Sequence, residues 1–390
     1  MFFTGFLQYI ACLAREIKDF YAFYRQDRSS PFRRIVIYVE KSSYFAYLEG
    51  LAKKLSTQYG YSISYVTSDA ADKRLVNHIP NMRAFYIREL LPLFMAFIDC
   101  RVMIMTLTEL DKLHIKRSVN PVHYVYSFHA MVSTHMMYTE GAFDGYDSIL
   151  CVGPHHIEEI RKRESLNKLP PKHLVEGGYY RLERIHASCR NLPAKDSKNR
   201  SKTTVLIAPS WGENNLLASC GERITEILLK NNYRVIIRPH PETIKRSPGL
   251  IAAFKEAYGI NPDFTLETST ATDESLLLAD IMICDCSGVA LEYAFGTERP
   301  VLFLDSPIKI KNLNYQSLGL EPLELSLRHK IGKLWPPEKL DQLPEALENL
   351  LIRKDEYRTR IVNLREQVVF AFGRSSDIGA EWVHRLARSG

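Results

Sequence analysis

From residue 31 onward the chain alternates short β-branched apolar runs with stretches of helical periodicity, and it does so in two series parted by a polar segment at 191–202. In the first series, strands are predicted at 34–39, 62–67, 102–106, 123–127, 148–152 and 174–176, with a helix at 43–55 between the first two. In the second, strands are predicted at 204–208, 234–238, 264–267, 281–284 and 301–304, with helices near 216–230, 249–258 and 289–295 between them. Strands that alternate with helices return by right-handed crossovers, so each series implies a parallel sheet.

At 390 residues the chain exceeds the length over which one core keeps growing, which agrees with two domains. The expected fold is α/β of the GT-B kind: two Rossmann-like, doubly wound domains facing one another across a cleft. The boundaries expected are an N-terminal amphipathic helix at 1–30, a first domain at 31–190, a linker at 191–202, a second domain at 203–360, and C-terminal helices at 361–390 packing near the domain junction. No repeat of solenoid length interrupts this plan.

A formal charge of +6, spread along the chain, suits anionic small substrates or a lipid surface and does not single out nucleic acid. Neither zinc-finger spacing nor an aromatic RNA-binding signature is present. The seven cysteines are scattered, and the close pair Cys284 and Cys286 lies inside an apolar run, which points to a reducing cytoplasm rather than a disulfide framework. No motif calls for a metal or a cofactor. The first residues lack the basic start of a secretory signal and are too short an uncharged run to span a bilayer. Apolar residues at Phe3, Phe6, Leu7, Ile10, Leu13, Ile17, Phe20 and Tyr24 instead trace a helix with Arg15, Glu16, Lys18 and Asp19 on or near its other side. Two readings stand for it: a helix packed on its own domain, or an in-plane membrane anchor helped by Arg25, Arg28, Arg33 and Arg34.

In doubly wound folds, chemistry gathers just past the carboxyl ends of strands. Arg238-Pro239-His240-Pro241 follows such a strand and puts a permanent cation and an imidazole on a backbone stiffened by two prolines. Asp285, Ser287, Gly288 and Glu292 lie in a strand–loop–helix segment whose helix start exposes N–H groups to an anion, with Glu292 about one turn into the helix, where a carboxylate can hold ribose hydroxyls. In the first series, His129 also sits just past a strand, and His135 lies six residues on. His155 opens a later helix and is a candidate acceptor contact.

Together these motifs resemble the CDP-glycerol glycerophosphotransferase family, which includes teichoic-acid primases and polymerases. The resemblance runs from about residue 120 to 385 and includes Ala208-Pro209-Ser210-Trp211, the strand 300–305 and the ending Phe372-Gly373-Arg374-Ser375-Ser376-Asp377. Two positions depart from the family pattern: Ala130 stands where a Gly usually follows the His, and Gly288 where a second Ser is usual. The resemblance implies a transferase that moves glycerol phosphate, or a related alditol phosphate, from a CDP-linked donor to a hydroxyl of a lipid-linked saccharide or cell-surface polymer. The donor is a substrate, so no cofactor is implied. In this scheme 31–190 is the acceptor domain and 203–360 the nucleotide-donor domain. His240 contacts the pyrophosphate and helps CMP leave, Asp285, Ser287 and Gly288 line the phosphates, Arg238 and Ser210 bind the donor, Glu292 holds the ribose, and His129 is the base, with His135 or His155 as the alternative. The setting implied is cell-envelope synthesis, primase-like or capsule-type, in the cytoplasm at the inner face of the membrane. A GT-B glycosyltransferase using a CMP- or UDP-sugar and a sugar-nucleotide 2-epimerase are the alternatives.

Overall fold

The computed structural model describes residues 2–192, 202–212, 215–269 and 272–388, so most of the expected linker, 193–201, lies outside the described residues. The first sheet contains β1 (Ile35–Val39), β2 (Ile63–Thr67), β3 (Met82–Tyr86), β4 (Val102–Met105), β5 (His123–Ser127), β6 (Ser148–Cys151) and β7 (His173–Glu176). It is accompanied by α1 (Phe2–Tyr24), α2 (Phe45–Thr57), α3 (Leu91–Phe97) and α4 (Pro154–Asn167), whereas α5 (Tyr180–Arg190) groups from Arg181 onward with the second sheet. The second sheet contains β8 (Thr204–Ile207), β9 (Arg234–Ile237), β10 (Phe264–Leu266), β11 (Ile281–Cys284), β12 (Val301–Leu304) and β13 (Gly332–Trp335). Its helices are α6 (Leu216–Lys230), α7 (Pro241–Arg246), α8 (Pro248–Tyr258), α9 (Glu274–Leu278), α10 (Gly288–Thr297), α11 (Leu323–Ser326), α12 (Arg328–Ile331), α13 (Leu343–Ile352) and α14 (Lys354–Val368). The described chain closes with α15 (Ser375–Arg388).

Every ladder is parallel. The strand orders are β3-β2-β1-β4-β5-β6-β7 and β10-β9-β8-β11-β12-β13. In each sheet the winding reverses beside its first strand, between β1 and β4 and between β8 and β11. Those two switch points are where a doubly wound sheet opens a crevice for ligands. The two parallel sheets with flanking helices are those of the GT-B fold.

Contacts divide the chain into one unit of Met1–His129, Thr139–Tyr180 and Val369–Gly390 and a second of Ala130–Tyr138 and Arg181–Val368. These bounds differ from the simple cut at the linker for two physical reasons. The segment 130–138 is tied to the second unit because the Glu324 carboxylate accepts the Ser133 N–H and hydroxyl, each at 2.8 Å, and the Met136 carbonyl accepts the N–H groups of Lys311 and Asn312. The end of the chain returns to the first sheet, where Ala380 and Val383 of α15 join Leu48, Leu51 and Leu55 of α2 in its core. Each such fully buried Val or Leu contributes roughly 1.5–3 kcal/mol. The return is a close fit: Gly178 has φ +71, and a Cβ there would lie 2.4 Å from the Phe370 carbonyl oxygen.

Helix α1 differs from its expected orientation. Glu16, only 1% exposed, accepts the N–H groups of Arg88 and Leu90, and Asp19 accepts that of Tyr86, so two acids lie on the packed face beside the edge strand β3. Phe23 packs edge-on against Phe85 and Phe94. Leu7, Ile10, Ile17 and Tyr21, at helical spacing, are exposed instead.

Candidate active site

At the switch point of the second sheet, the chain leaving β8 as Ala208-Pro209-Ser210 meets the chain leaving β11 at Asp285. Asp285 Oδ1 accepts the Ser210 N–H at 2.7 Å, and Oδ2 accepts the Ser210 hydroxyl at 2.8 Å and the Leu216 N–H at 3.3 Å. Asp285 is 2% exposed. Burial pushes its pKa up, and the Ser210 donors pull the other way. These three bonds make Asp285 a clamp that fixes both loops, with oxygens committed to protein donors.

The strand β9 delivers His240 to the N-cap of α7. Pro241 has no N–H, and the Glu242 N–H is accepted by His240 Nδ1 at 3.1 Å. A neutral imidazole that accepts at Nδ1 carries its proton on Nε2, so the local backbone presets the ring as a donor at that atom. The Trp211 ring stands 6.0 Å from it, with Lys309 Nζ 3.1 Å and Arg246 Cζ 4.8 Å from the Trp211 centroid. Burial pushes the Lys309 pKa down to about 8, and neighbouring Lys311 adds to the fall. Two cations and an imidazole thus surround one indole. Lys309 was not singled out in the sequence, where it reads as one more lysine after the 300–305 strand.

Arg238 and Glu292 belong to a buried ion network. Arg238 is 6% exposed; its Nη1 donates to Ser275 Oγ at 3.0 Å and lies 3.5 Å from Glu267. Burial lowers its pKa, opposed by Glu267. Glu292 accepts from Arg181 Nε at 3.0 Å, while Asp273 pairs with Arg181 at 2.9 Å and Arg184 at 2.6 Å. Three arginines and three carboxylates therefore balance among these residues. Isolated charges at this depth would be costly, and the pairing is what allows them. Arg181, Glu267 and Asp273 were missed because no sequence rule pairs residues so far apart.

Ser287 takes the N-cap position of α10 with extended backbone, and its side chain makes no capping bond. Gly288 faces the segment 130–132: a Cβ there would lie 3.0 Å from Val132 Cγ1 and 3.9 Å from the Ala130 Cβ. The two positions that depart from the family pattern, 130 and 288, are therefore neighbours.

In the first unit, half-buried His129 is stacked on Tyr44 at 4.7 Å with Tyr47 at 6.2 Å. His135 lies elsewhere: it is 7% exposed, within the second unit, and its Nε2 is 3.1 Å from the Leu320 carbonyl oxygen, an arrangement in which Nε2–H must donate. That bond gives His135 a structural occupation. His155 is half-buried near the start of α4, its ring 4.0 Å from that of His156. His156 is fully buried, accepts the Val152 N–H at 3.2 Å and stacks on Phe128.

The fold is that of GT-B proteins, and the strand-end motifs lie in it where doubly wound sheets take ligands. Residues 146–309 match the model of a family described as CDP-Glycerol:Poly(glycerophosphate) glycerophosphotransferase, which makes the chain an enzyme of the CDP-glycerol glycerophosphotransferase type and bears out the resemblance carried by its motifs. The matched segment holds Arg238, His240, Asp285 and Glu292, and stops short of His129. Among solved structures, the wall teichoic acid polymerase TagF is similar with a TM-score of 0.62 at 15% identity, over 99% of this chain and 98% of that one. A UDP-GlcNAc 2-epimerase from Neisseria meningitidis bound to UDP-GlcNAc is similar at 0.59 and 12%, over 90% and 100%. A putative UDP-N-acetylglucosamine 2-epimerase from Listeria monocytogenes is similar at 0.56 and 14%, over 88% and 94%. At such identities the likeness concerns the fold. No curated protein matches the chain.

Proposed function

We propose that the protein transfers glycerol phosphate, or a related alditol phosphate, from a CDP-linked donor to a hydroxyl of a lipid-linked saccharide or cell-surface polymer. The observation that carries this reading is the preset Nε2–H donor of His240 beside Trp211 and Lys309, within the segment matched to the family. The pyrophosphate rests against the N–H groups at the start of α10, around Ser287 and Gly288, in a loop held by the Asp285–Ser210 clamp. Lys309 adds a cation, and Glu292 takes the ribose hydroxyls while Arg238 and Arg181 set the charge around it. The acceptor oxygen attacks the β-phosphorus and passes its proton to His129; the bond from that phosphorus to the CMP oxygen breaks, and His240 Nε2–H bonds the departing phosphate. Catalysis of this kind is positioning and charge stabilisation, with no covalent intermediate on the protein.

The same reading places the enzyme in the cytoplasm at the inner face of the membrane. Among the described residues no helix is long and apolar enough to cross a membrane. The exposed stripe Leu7, Ile10, Ile17 and Tyr21 of α1, flanked by Lys18, Arg25 and Arg28, suits an anionic lipid surface lying alongside it. Flotation with vesicles containing phosphatidylglycerol tests this, and Ile10→Glu with Ile17→Glu is expected to abolish it.

The donor is tested with CDP-glycerol, CDP-ribitol, CMP-sialic acid and UDP-sugars, following thermal shift and nucleotide release. Stabilisation and turnover with a CDP-alditol alone support the phosphotransferase. A response to a nucleotide sugar alone keeps the fold and replaces the reaction with glycosyl transfer or epimerisation.

A further inference from the structure

The switch point of the first sheet carries a carboxyl group that the scheme above does not use. Glu40 follows β1, and its Oε2 accepts the hydroxyl of Thr106, just past β4, at 2.8 Å. The neighbouring phenols are occupied. Ser68 gives its proton to the Ile87 carbonyl, so Tyr38 must donate to Ser68 Oγ, and Tyr146 donates to the Leu107 carbonyl. Thr106 is fully buried, whereas Glu40 is half-buried. Among the described residues Glu40 forms no close ion pair, although the adjacent Lys41 attracts its charge, and Thr106 is its one side-chain hydrogen-bond partner there.

A carboxyl that the protein neither pairs with a cation nor caps with several donors retains acceptor capacity. At the carboxyl end of a central strand, that capacity is aimed where a doubly wound sheet takes ligands. The loop that follows ties the position to the base: Tyr44, four residues on, is the ring stacked on His129. Burial raises the Glu40 pKa, as expected for a carboxyl held away from bulk water.

We infer that Glu40 and Thr106 form an acceptor subsite for neutral vicinal hydroxyls of a polyol or saccharide end, in which the Glu40 carboxyl accepts from a hydroxyl next to the one that reacts. This rests on the proposed transfer reaction and adds a specificity to it. A hydroxyl end supplies donors to Glu40, whereas a phosphate end supplies only negative charge and is rejected.

The test is binding of a short synthetic glycerol-phosphate oligomer with a free hydroxyl end to the full-length protein, by saturation-transfer NMR, beside the same oligomer ending in phosphate. CDP-glycerol binding and thermal stability are measured in parallel. The wild type is expected to bind the hydroxyl-ended form in preference. Glu40→Gln is expected to weaken that binding at least about tenfold and to leave the melting temperature and CDP-glycerol binding unchanged, with partial recovery in Glu40→Asp. Equal binding of the oligomer by wild type and Glu40→Gln, no binding by the wild type, or a fall in stability matching the loss overturns the inference. If the oligomer binds through Glu40 while CDP-glycerol does not bind at all, the donor reading fails and the subsite stands.

Discussion

The two sheets solve the same topological problem with opposite chemistry. In both, the loops leaving the strands that flank the switch point are joined by a carboxyl–hydroxyl bond, Glu40 to Thr106 in the first and Asp285 to Ser210 in the second. In the second sheet the carboxylate receives two backbone N–H groups as well, so its loops are fixed before any ligand arrives. In the first, Glu40 keeps acceptor capacity. A donor with two phosphates at fixed spacing profits from prebuilt walls, and an acceptor known only by its hydroxyls profits from an unsatisfied acceptor.

The largest effect that can break this contrast is at His240. His240→Ala removes the preset Nε2–H donor, and a loss of about 10²–10³ in kcat is expected, as for removal of one donor to a developing charge. Acceptor binding is expected to be untouched. A loss confined to acceptor KM in steady-state assays would refute the assignment of the second sheet to the donor.

Asp285→Ala comes next. It strands the Ser210 N–H, the Ser210 hydroxyl and the Leu216 N–H, and unsatisfied buried donors cost about 1–3 kcal/mol each where water cannot reach them. A drop of several degrees in melting temperature is expected, beside no change for Glu40→Gln. If the two variants lose equal stability, the contrast between a rigid and a receptive switch point is wrong.

Position 288 gives a smaller effect. Gly288→Ser restores the residue usual in the family and gains up to about 0.5 kcal/mol of helix propensity. It also crowds Val132 Cγ1, and crowding of a packed site costs about 1–3 kcal/mol. Net destabilisation near 1 kcal/mol is expected in urea unfolding, and Val132→Ala on that background is expected to recover most of it. Additive losses would show that 288 and the 130–132 segment do not share a packing constraint.

What the sequence showed of this molecule follows the reach of local rules. The buried central strands, rich in Val and Ile, were read to within a residue or two at each end. Both missed strands, β3 and β13, lie at sheet edges, where Met82-Arg83-Ala84-Phe85-Tyr86 and Gly332-Lys333-Leu334-Trp335 contain no β-branched residue. Gly332 is there because a Cβ would lie 1.8 Å from the Val301 carbonyl oxygen, a constraint set by its partner strand. Strand-end motifs such as Arg238 to Pro241 were legible because position alone marks them. Their partners were not: Arg181 meets Glu292 across 111 residues, and the bond from His135 to the Leu320 carbonyl, which separates it from His129, spans 185. Glu16 and Asp19 were read as outward charges because nothing local reveals that edge N–H groups await them.

The smallest effect sharpens the donor side through pH. Lys309 has a pKa of about 8, below the ordinary lysine value, because burial penalises its charge. A phosphate bound beside it stabilises the ammonium, so the pKa in the donor complex lies above 8 and binding takes up a proton at that pH. Donor affinity is therefore fully present below pH 8 and falls as pH rises through 8 towards the pKa of the complex, by at most about tenfold per pH unit. For folding the sign is opposite. The unfolded chain holds this proton up to the ordinary lysine value, so between pH 8 and that value it binds more protons than the native state, and the contribution of Lys309 to stability rises with pH. Lys309→Met is expected to flatten both trends. A calorimetric profile of CDP-glycerol affinity from pH 7 to 9.5 that keeps the same slope in Lys309→Met would place the titrating group elsewhere and remove Lys309 from the donor site.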